Sequence, residues 1–571
     1  TLRQRPSKPL VSCAIASALT VAGPASRASA QAFQGSPSFD PAKIDRTIGS
    51  GTETITVKVP QAIINWTPTD NNGTGPINFL PQGNTATFQN DGTTTANFAV
   101  LNRIIPADTS RRIDFNGRVI SQLRDAAGNV TGSGGTVAFY SPGGIFISST
   151  AVFDVGSLLL TTLDPIADSN ENFFFGGNLL QLRGVADSTA AVETAAGAQI
   201  NAIAEGSFVA MVAPQVFHGG AVRVNGSAAY VAGESVDLTI KAGLFDIMVN
   251  SGTASGGNVL VHDGSTGGPA STGGVDNHYI YMVAVPKNQA ITAVLRGSAG
   301  FDAATSATIE NGEIILSAGH SVSSTFIDSA PASGTGASFI IDGGTYSSDV
   351  MGQASQSFIV QTNGSDTSFA GDLFLRTPGT ANVSSSAGVL TIGGDLTVEA
   401  DNNASLLPSG AAGTGGNASL GASSTGSVNI VGNARLTANG QGRSGSAGTL
   451  GGDGTGGTVS VTAADTGSVA VGGNLTLTAN GFAGGGGGGP SGSNSGASIG
   501  GIVNVRTSGG ASNIIVTGIS NISASGVGQG NGIAIAVPDN RGGSVSINAS
   551  SAGSTIRLNG QVFAGANGDG S

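Results

Sequence analysis

Four histidines, His218, His262, His278 and His320, are the side chains of this sequence most suited to metal ligation or general-base work. No two stand at the i, i+4 spacing of a helical metal pair, and the single cysteine, Cys13, does not accompany them. Isolated histidines on short strands are expected at the surface, so no metal site is expected. Asp246, Asp263 and Asp302 are the acids available for polysaccharide cleavage. That chemistry needs clustered carboxylates, or an acid beside an arginine, in one groove. The three are scattered, and the stretch after Asp401 holds no carboxylate cluster. Gly451-Gly452-Asp453-Gly454 has the look of a calcium repeat, but its Asp and apolar positions do not recur. No lysine follows glycine in a phosphate-loop pattern, and no G-x-S-x-G elbow stands between a strand and a helix. The expectation is no catalytic residue, no cofactor and no enzyme.

The elements that hold these residues follow from composition. Among 571 residues, 93 are glycine, 10% are charged and 5% are aromatic. Few large side chains are available for a wide core, yet low charge is the opposite of what disorder requires. Gly, Ser, Thr, Asn, Val and Ala suit narrow stacked β-coils, with small residues inside and glycines at the corners. The chain is expected to be a solenoid. A formal net charge of −12 without a basic cluster beyond the N-terminus argues against nucleic acid as a partner. No apolar run reaches the ~18 residues of a membrane-spanning helix.

Residues 1–30 have the pattern of an export signal. Arg3, Arg5 and Lys8 precede an apolar core from Leu10 to Ala22, and Ala28-Ser29-Ala30 gives a cleavage site ahead of Gln31. Cleavage removes Cys13 and four basic residues, taking the net charge from −12 to −16. A cysteine-free mature chain avoids wrong disulfides in an oxidising periplasm. Leu10-Val11-Ser12-Cys13 matches a lipoprotein box, but it opens the apolar core rather than following it, so lipidation is not expected. The first residue is Thr1 rather than Met, and the expectation is that the natural reading frame begins earlier.

From residue 33 to about 290 the sequence is varied, and short β-type runs are bounded by Gly, Pro or Asn. Ile63-Ile64-Asn65-Trp66 carries the only tryptophan. Leu101-Asn102-Arg103-Ile104 comes next. Then Tyr140-Ser141-Pro142-Gly143-Gly144-Ile145-Phe146-Ile147 alternates on both sides of a Pro-Gly-Gly break, and Val209-Ala210-Met211-Val212-Ala213-Pro214 closes the set. Pro142 fixes φ, and Gly143 and Gly144 tolerate positive φ, so the break is a turn.

In this order the four landmarks resemble the N-terminal secretion domain of two-partner-secretion exoproteins, the filamentous haemagglutinin family. Where that family often reads Asn-Pro-Asn-Gly, this chain reads Ser141-Pro142-Gly143-Gly144. Asp276 to Gln289 (DNHYIYMVAVPKNQ) is also similar to a segment of such large exoproteins. The resemblance implies recognition by the periplasmic domains of a partner outer-membrane β-barrel transporter. Asn65, Trp66, Asn102, Arg103, Ser141, Pro142, Gly143 and Gly144 are then its candidate contacts. Each has a structural alternative: Trp66 as a cap over the first coil, Asn102 and Arg103 as a turn residue and a solvated charge, Ser141 to Gly144 as a corner.

From about residue 390 repeats stand on their own. Ala418, Val459, Val503 and Val545 begin one recurring run, and Val428, Val469, Ile514 and Ile556 mark a second. Leu436, Leu477, Ile522 and Val562 mark a third, with an earlier copy at Val398 and spacings of 38, 41, 45 and 40 residues. Three short strands separated by turns make one triangular coil, with glycine-rich excursions filling the rest of each period. The last residues lie in such an excursion without a capping element, and further coils are expected beyond Ser571.

Repeats and resemblance together imply an all-β, right-handed parallel β-helix with an N-terminal cap and short extra-helical hairpins. The expected divisions are a signal peptide at 1–30, a secretion domain at 31–290, continuing β-helix at 291–389 and glycine-rich repeats at 390–571. The implied function is a secreted or surface-displayed exoprotein of a Gram-negative bacterium, associated with the outer membrane and serving as an adhesin-like stalk. Its surface ligand (host cell, glycan or matrix) is not marked by any motif. Two alternatives remain open: a β-helical polysaccharide-degrading enzyme, and an autotransporter passenger lacking its barrel.

Overall fold

The computed structural model describes residues 31–241, 243–271, 277–303, 312–446, 448–487, 495–528 and 539–569. The expected signal segment, with Ala28 and Ala30, lies outside them. The described chain is β throughout except for one 3-10 turn, Ala404–Leu406. It winds as a right-handed parallel β-helix, as the repeats led us to expect.

Each coil lays down three strands. Ile113–Phe115, Arg118–Arg124 and Thr136–Tyr140 make one, and the next coil sets Ile145–Ile147, Val152–Asp154 and Ser157–Thr161 above them in parallel register. Backbone donors and acceptors are therefore satisfied between coils. Alternate residues point inward: Val137 and Phe139 lie in the interior, and in Leu475–Thr478 both leucines are buried while the threonines are half-buried. The first coils hold an aromatic interior of Phe33, Phe79, Phe88, Phe115, Phe139 and Phe153, and the later coils hold mostly Val, Leu, Ile and Ala.

Three devices are added to the coil. The N-terminal end is closed by antiparallel strands, with Gly35–Ser38 against Gln61–Pro68 and Ile44–Gly49 against Thr52–Val57. Trp66 sits beneath them, 5.2 Å from Phe33 and 5.5 Å from Phe79, ring edge to face in both cases. Its indole N–H donates to Asn102 Oδ1 at 3.1 Å.

The second device is a roof. Excursions from the corner between the third and first faces form an antiparallel sheet of Leu179–Arg183, Ser235–Lys241, Leu244–Ser251 and Val322–Ser323, with shorter strands beside them. It lies over the outer surface of the third face. Leu101, Leu159, Tyr281 and Ile315 of that face pack against Leu182, Leu238 and Ile247 of the roof, making a second hydrophobic core. The expected extra-helical hairpins are these.

The third device is in the repeats. The glycine excursions are themselves stacked: Gly413–Thr414, Gly454–Thr455, Ser498–Ile499 and Asn540–Arg541 form one ribbon, and Gly440–Gln441, Gly481–Phe482, Gly526–Val527 and Gly568–Asp569 form another. A Cβ on Gly440 would stand 1.7 Å from the Thr455 carbonyl oxygen, so the two ribbons meet backbone to backbone and exclude any side chain there. Glycine in this part of the chain serves close packing rather than looseness.

Register confirms the repeat positions, with one correction. Val398, Leu436, Leu477 and Ile522 stack directly, but the next residue in that column is Ala564, not Val562, which pairs with Ser520. An Asx ladder runs beside this face. The side-chain oxygen of Asp349 accepts the N–H of Asp372 (2.8 Å), Asp372 that of Asp395 (2.7 Å) and Asp395 that of Asn433 (2.7 Å). Asn433 then accepts from Asn474 (2.9 Å) and Asn474 from Ile519 (2.8 Å). Each acceptor serves the coil that follows it in sequence.

Candidate functional site

The eight residues singled out in the sequence divide between two sides of the solenoid wall. Ile64, Trp66, Val100, Asn102 and Ile104 point inward. Asn65 and Arg103 are register partners on the outer surface of the third face, with Asn65 exposed. Asn102 is therefore not a turn residue: it lies mid-strand, fully buried, accepting from Trp66 and donating through Nδ2 to the Ala138 carbonyl at 3.2 Å. Nor is Arg103 a solvated charge. It pairs with Asp164 at 3.0 Å and donates to the Pro165 carbonyl at 2.6 Å, at the first strand of the roof. Burial beside that pair raises the Asp164 carboxyl and pushes the Tyr140 hydroxyl up to about 12.

Ser141 to Gly144 is a corner between the third and first faces. Gly144 has φ 119°, a region costly for any L side chain. A Cβ on Gly143 would come 2.4 Å from the Arg111 carbonyl oxygen of the preceding coil. Ser141 is fully buried, and only Pro142 and Gly143 reach the surface in part. Gly143→Val is expected to destabilise by about 1–3 kcal/mol through overpacking against backbone. A lowered thermal midpoint of the purified protein checks this; an unchanged midpoint would return the segment to a surface role.

Gln31, at the expected cleavage point, is held in the cap: Arg46 donates to its side-chain oxygen at 2.9 Å, and its amide donates to the Gly35 carbonyl at 2.9 Å.

All four histidines are buried, contrary to expectation. His218 and His262 occupy neighbouring coils as register partners, with ring centroids 4.7 Å apart. Thr194 bonds His218 Nδ1 at 2.7 Å, and Thr266 bonds His262 Nε2 at 2.8 Å, while His262 Nδ1 is buried without a hydrogen-bond partner. Burial drives the His218 imidazole down to about 4 and His262 well below its usual range. Parity was the missed signal: His218 stands two residues after the inward Val216, on the same side of its strand. Among the described residues no group of three or more His, Cys, Asp or Glu could hold a metal ion.

The acids considered from sequence do not assemble. Asp246 pairs with Lys241 in a roof hairpin, and Asp263 pairs with Arg296 at 3.1 Å. A different cluster does form. Beyond the end of the roof, the outer surface of the third face opens into a groove of about 1020 Å³. Gln353, Arg376 and Glu399, register neighbours on three successive coils, run along its floor. Glu399 is clasped by Arg376 at 2.9 Å and by Arg435 of the next coil at 2.7 Å. Asp401, its carboxyl raised by burial, accepts from the Asn439 backbone and side-chain amide. One wall carries Ser329 and Pro331; the other is the excursion around Ala404–Leu406, with Arg443 beside it.

The fold and its additions define a class: a right-handed parallel β-helix with an aromatic N-terminal cap and a hairpin roof on one face. Among solved structures the chain is similar to the HMW1 secretion domain from Haemophilus influenzae, with 15% identity over 84% of this chain and 97% of that one, at a TM-score of 0.36. It is similar also to the filamentous haemagglutinin secretion domain, with 12% identity over 64% of this chain and 97% of that one, at a TM-score of 0.32. No family model matches the sequence, and no curated protein matches it.

Proposed function

We propose that this chain is the exported exoprotein of a two-partner secretion pair, carried by its N-terminal part through a partner outer-membrane β-barrel and displayed or released as an adhesin-like stalk of a Gram-negative cell. The observation that carries this reading is the arrangement at the N-terminus. An export-signal pattern ends at Ala30, and the cap built on Phe33 and Trp66 follows at once, closing the first coil. A solenoid closed at that end and built of parallel rungs grows in one direction, each coil templated on the last. Stacking outside the cell would then draw the chain outward without ATP. β-Augmentation by the transporter's periplasmic domains at an exposed sheet edge is the proposed contact mode. On the outer surface Asn65 and Arg103 are the contacts we favour. Trp66 and Asn102 act through the cap, and Ser141 to Gly144 through the corner.

The test is to express the full chain, residues 1–30 included, with and without an outer-membrane transporter of the two-partner type encoded beside it. Appearance at the surface or in the medium only when the transporter is present is the expected result. Appearance without it would overturn the proposal.

A further inference from the structure

The groove beyond the roof deepens the display reading by naming what a displayed stalk would hold, and depends on it only for where the ligand is met. Its floor strands are hydrogen-bonded on both sides: Leu373–Arg376 pairs with Asp349–Ala354 below and Leu396–Glu399 above. No backbone edge is left for an extended peptide, so recognition there falls to side chains alone. The groove offers those at a fixed step. Arg376 and Glu399 stand one strand spacing apart, about 4.8 Å, close to the repeat of a sugar chain, while Gln353 on the coil before them is buried with its amide donating to the Asp328 carbonyl at 3.2 Å.

Charge sets the kind of sugar. Arg376 and Arg443 are matched by Glu399 and Asp401, so the lining has no net field for a polyanion. Leu406 stands 47% exposed on the wall, with Leu407, Pro331 and Pro378 also lining the space, apolar faces for the C–H side of sugar rings. The wall is built in advance: Asn402 donates to the Gln441 carbonyl at 2.9 Å, Arg443 to the Ala404 carbonyl at 3.3 Å, and the Ser446 N–H to Ser409 Oγ at 2.7 Å. Little ordering is left to a ligand.

We propose that this groove binds a neutral oligosaccharide laid along the solenoid axis, about one ring to each coil. Binding rather than cleavage fits the carboxylates. Glu399 is held between two guanidinium groups, and both oxygens of Asp401 are engaged by Asn439. Both carboxylates are thus already committed to partners within the protein.

The experiment is calorimetric titration of the purified chain with maltopentaose, cellopentaose and mannopentaose, and with a heparin-derived hexasaccharide as the acidic comparison. Binding of at least one neutral sugar is expected. Arg376→Ala and Leu406→Ser, both at exposed side chains, should each weaken it about tenfold or more with unchanged circular dichroism and melting. Failure of every neutral sugar to bind, preference for the heparin fragment, or undiminished binding by both variants would overturn the proposal. Because the protein is purified, these outcomes are separate from success or failure of export.

Discussion

Trp66→Ala is expected to cost about 3–5 kcal/mol and to unravel the first coils while the repeats stay folded. The indole is fully buried, touches Phe33 and Phe79 ring to ring, and supplies the donor for the interior oxygen of Asn102. Its loss opens a cavity and leaves a buried acceptor unpaired at one stroke. The cap depends on it further: the Arg46 guanidinium lies 5.5 Å from its ring and pairs at 2.6 Å with Glu53, itself buried. Hydrogen exchange resolved along the chain is the measurement, with loss of protection confined to Thr52–Val57, Gln61–Pro68 and the strands stacked on them. Trp66→Phe keeps an aromatic ring but not the N–H, and the unpaired Asn102 oxygen is expected to cost about 1–3 kcal/mol. Equal protection in wild type and Trp66→Ala would contradict the cap.

Acid sensitivity is the second large effect. His218 and His262 are neutral in the fold, with folded-state values depressed below the ordinary 6.5 of an exposed imidazole. Below pH 6.5 the unfolded chain therefore binds protons that the fold refuses. Stability falls as pH drops from 6.5 toward 4, by up to about 1.4 kcal/mol per pH unit for each histidine. His320, also depressed by burial, adds to the same limb. The charged and titratable groups facing the pair are the two rings themselves and Tyr230, whose hydroxyl burial holds protonated. Among the described residues no carboxylate acts on the pair to favour the imidazolium. Denaturant midpoints between pH 7 and 4.5 should fall steeply for wild type, and a His218→Gln, His262→Gln double variant should flatten the slope. A pH-independent wild type would remove the buried pair from the account.

The repeats were legible because one column, Val398, Leu436, Leu477 and Ile522, recurs with an apolar residue at every coil. Both Val562 and Ala564 fit an apolar pattern, and only the register shows that it is Ala564 that continues the column from Ile522. Hairpins outside the coil were expected, but not that they would roof Leu101, Leu159 and Tyr281. Those outward residues are apolar in sequence, and only the topology says what covers them. Arg103 read as solvated for the same reason: its partner Asp164 arrives on an excursion 61 residues later. By residue type the histidines read as surface groups, although strand parity places His218 inward. The groove was beyond reach of the sequence, since Gln353, Arg376 and Glu399 meet only through stacking of coils 23 residues apart.

The Asx ladder has a mechanical meaning. Every rung of it hands an acceptor forward, so a coil pulled away from the C-terminal end gives up bonds to one neighbour and leaves the rest of the stack whole. Load applied there is shed as a series of like-sized steps, each releasing one period of chain, 38 to 45 residues, which extends to about 130–160 Å. Load at the other end meets the aromatic plug of Phe33, Trp66 and Phe79, with strands crossed against the coil. Unloading of the stack is thus stepwise among the glycine-rich coils and opposed by aromatic packing at the cap.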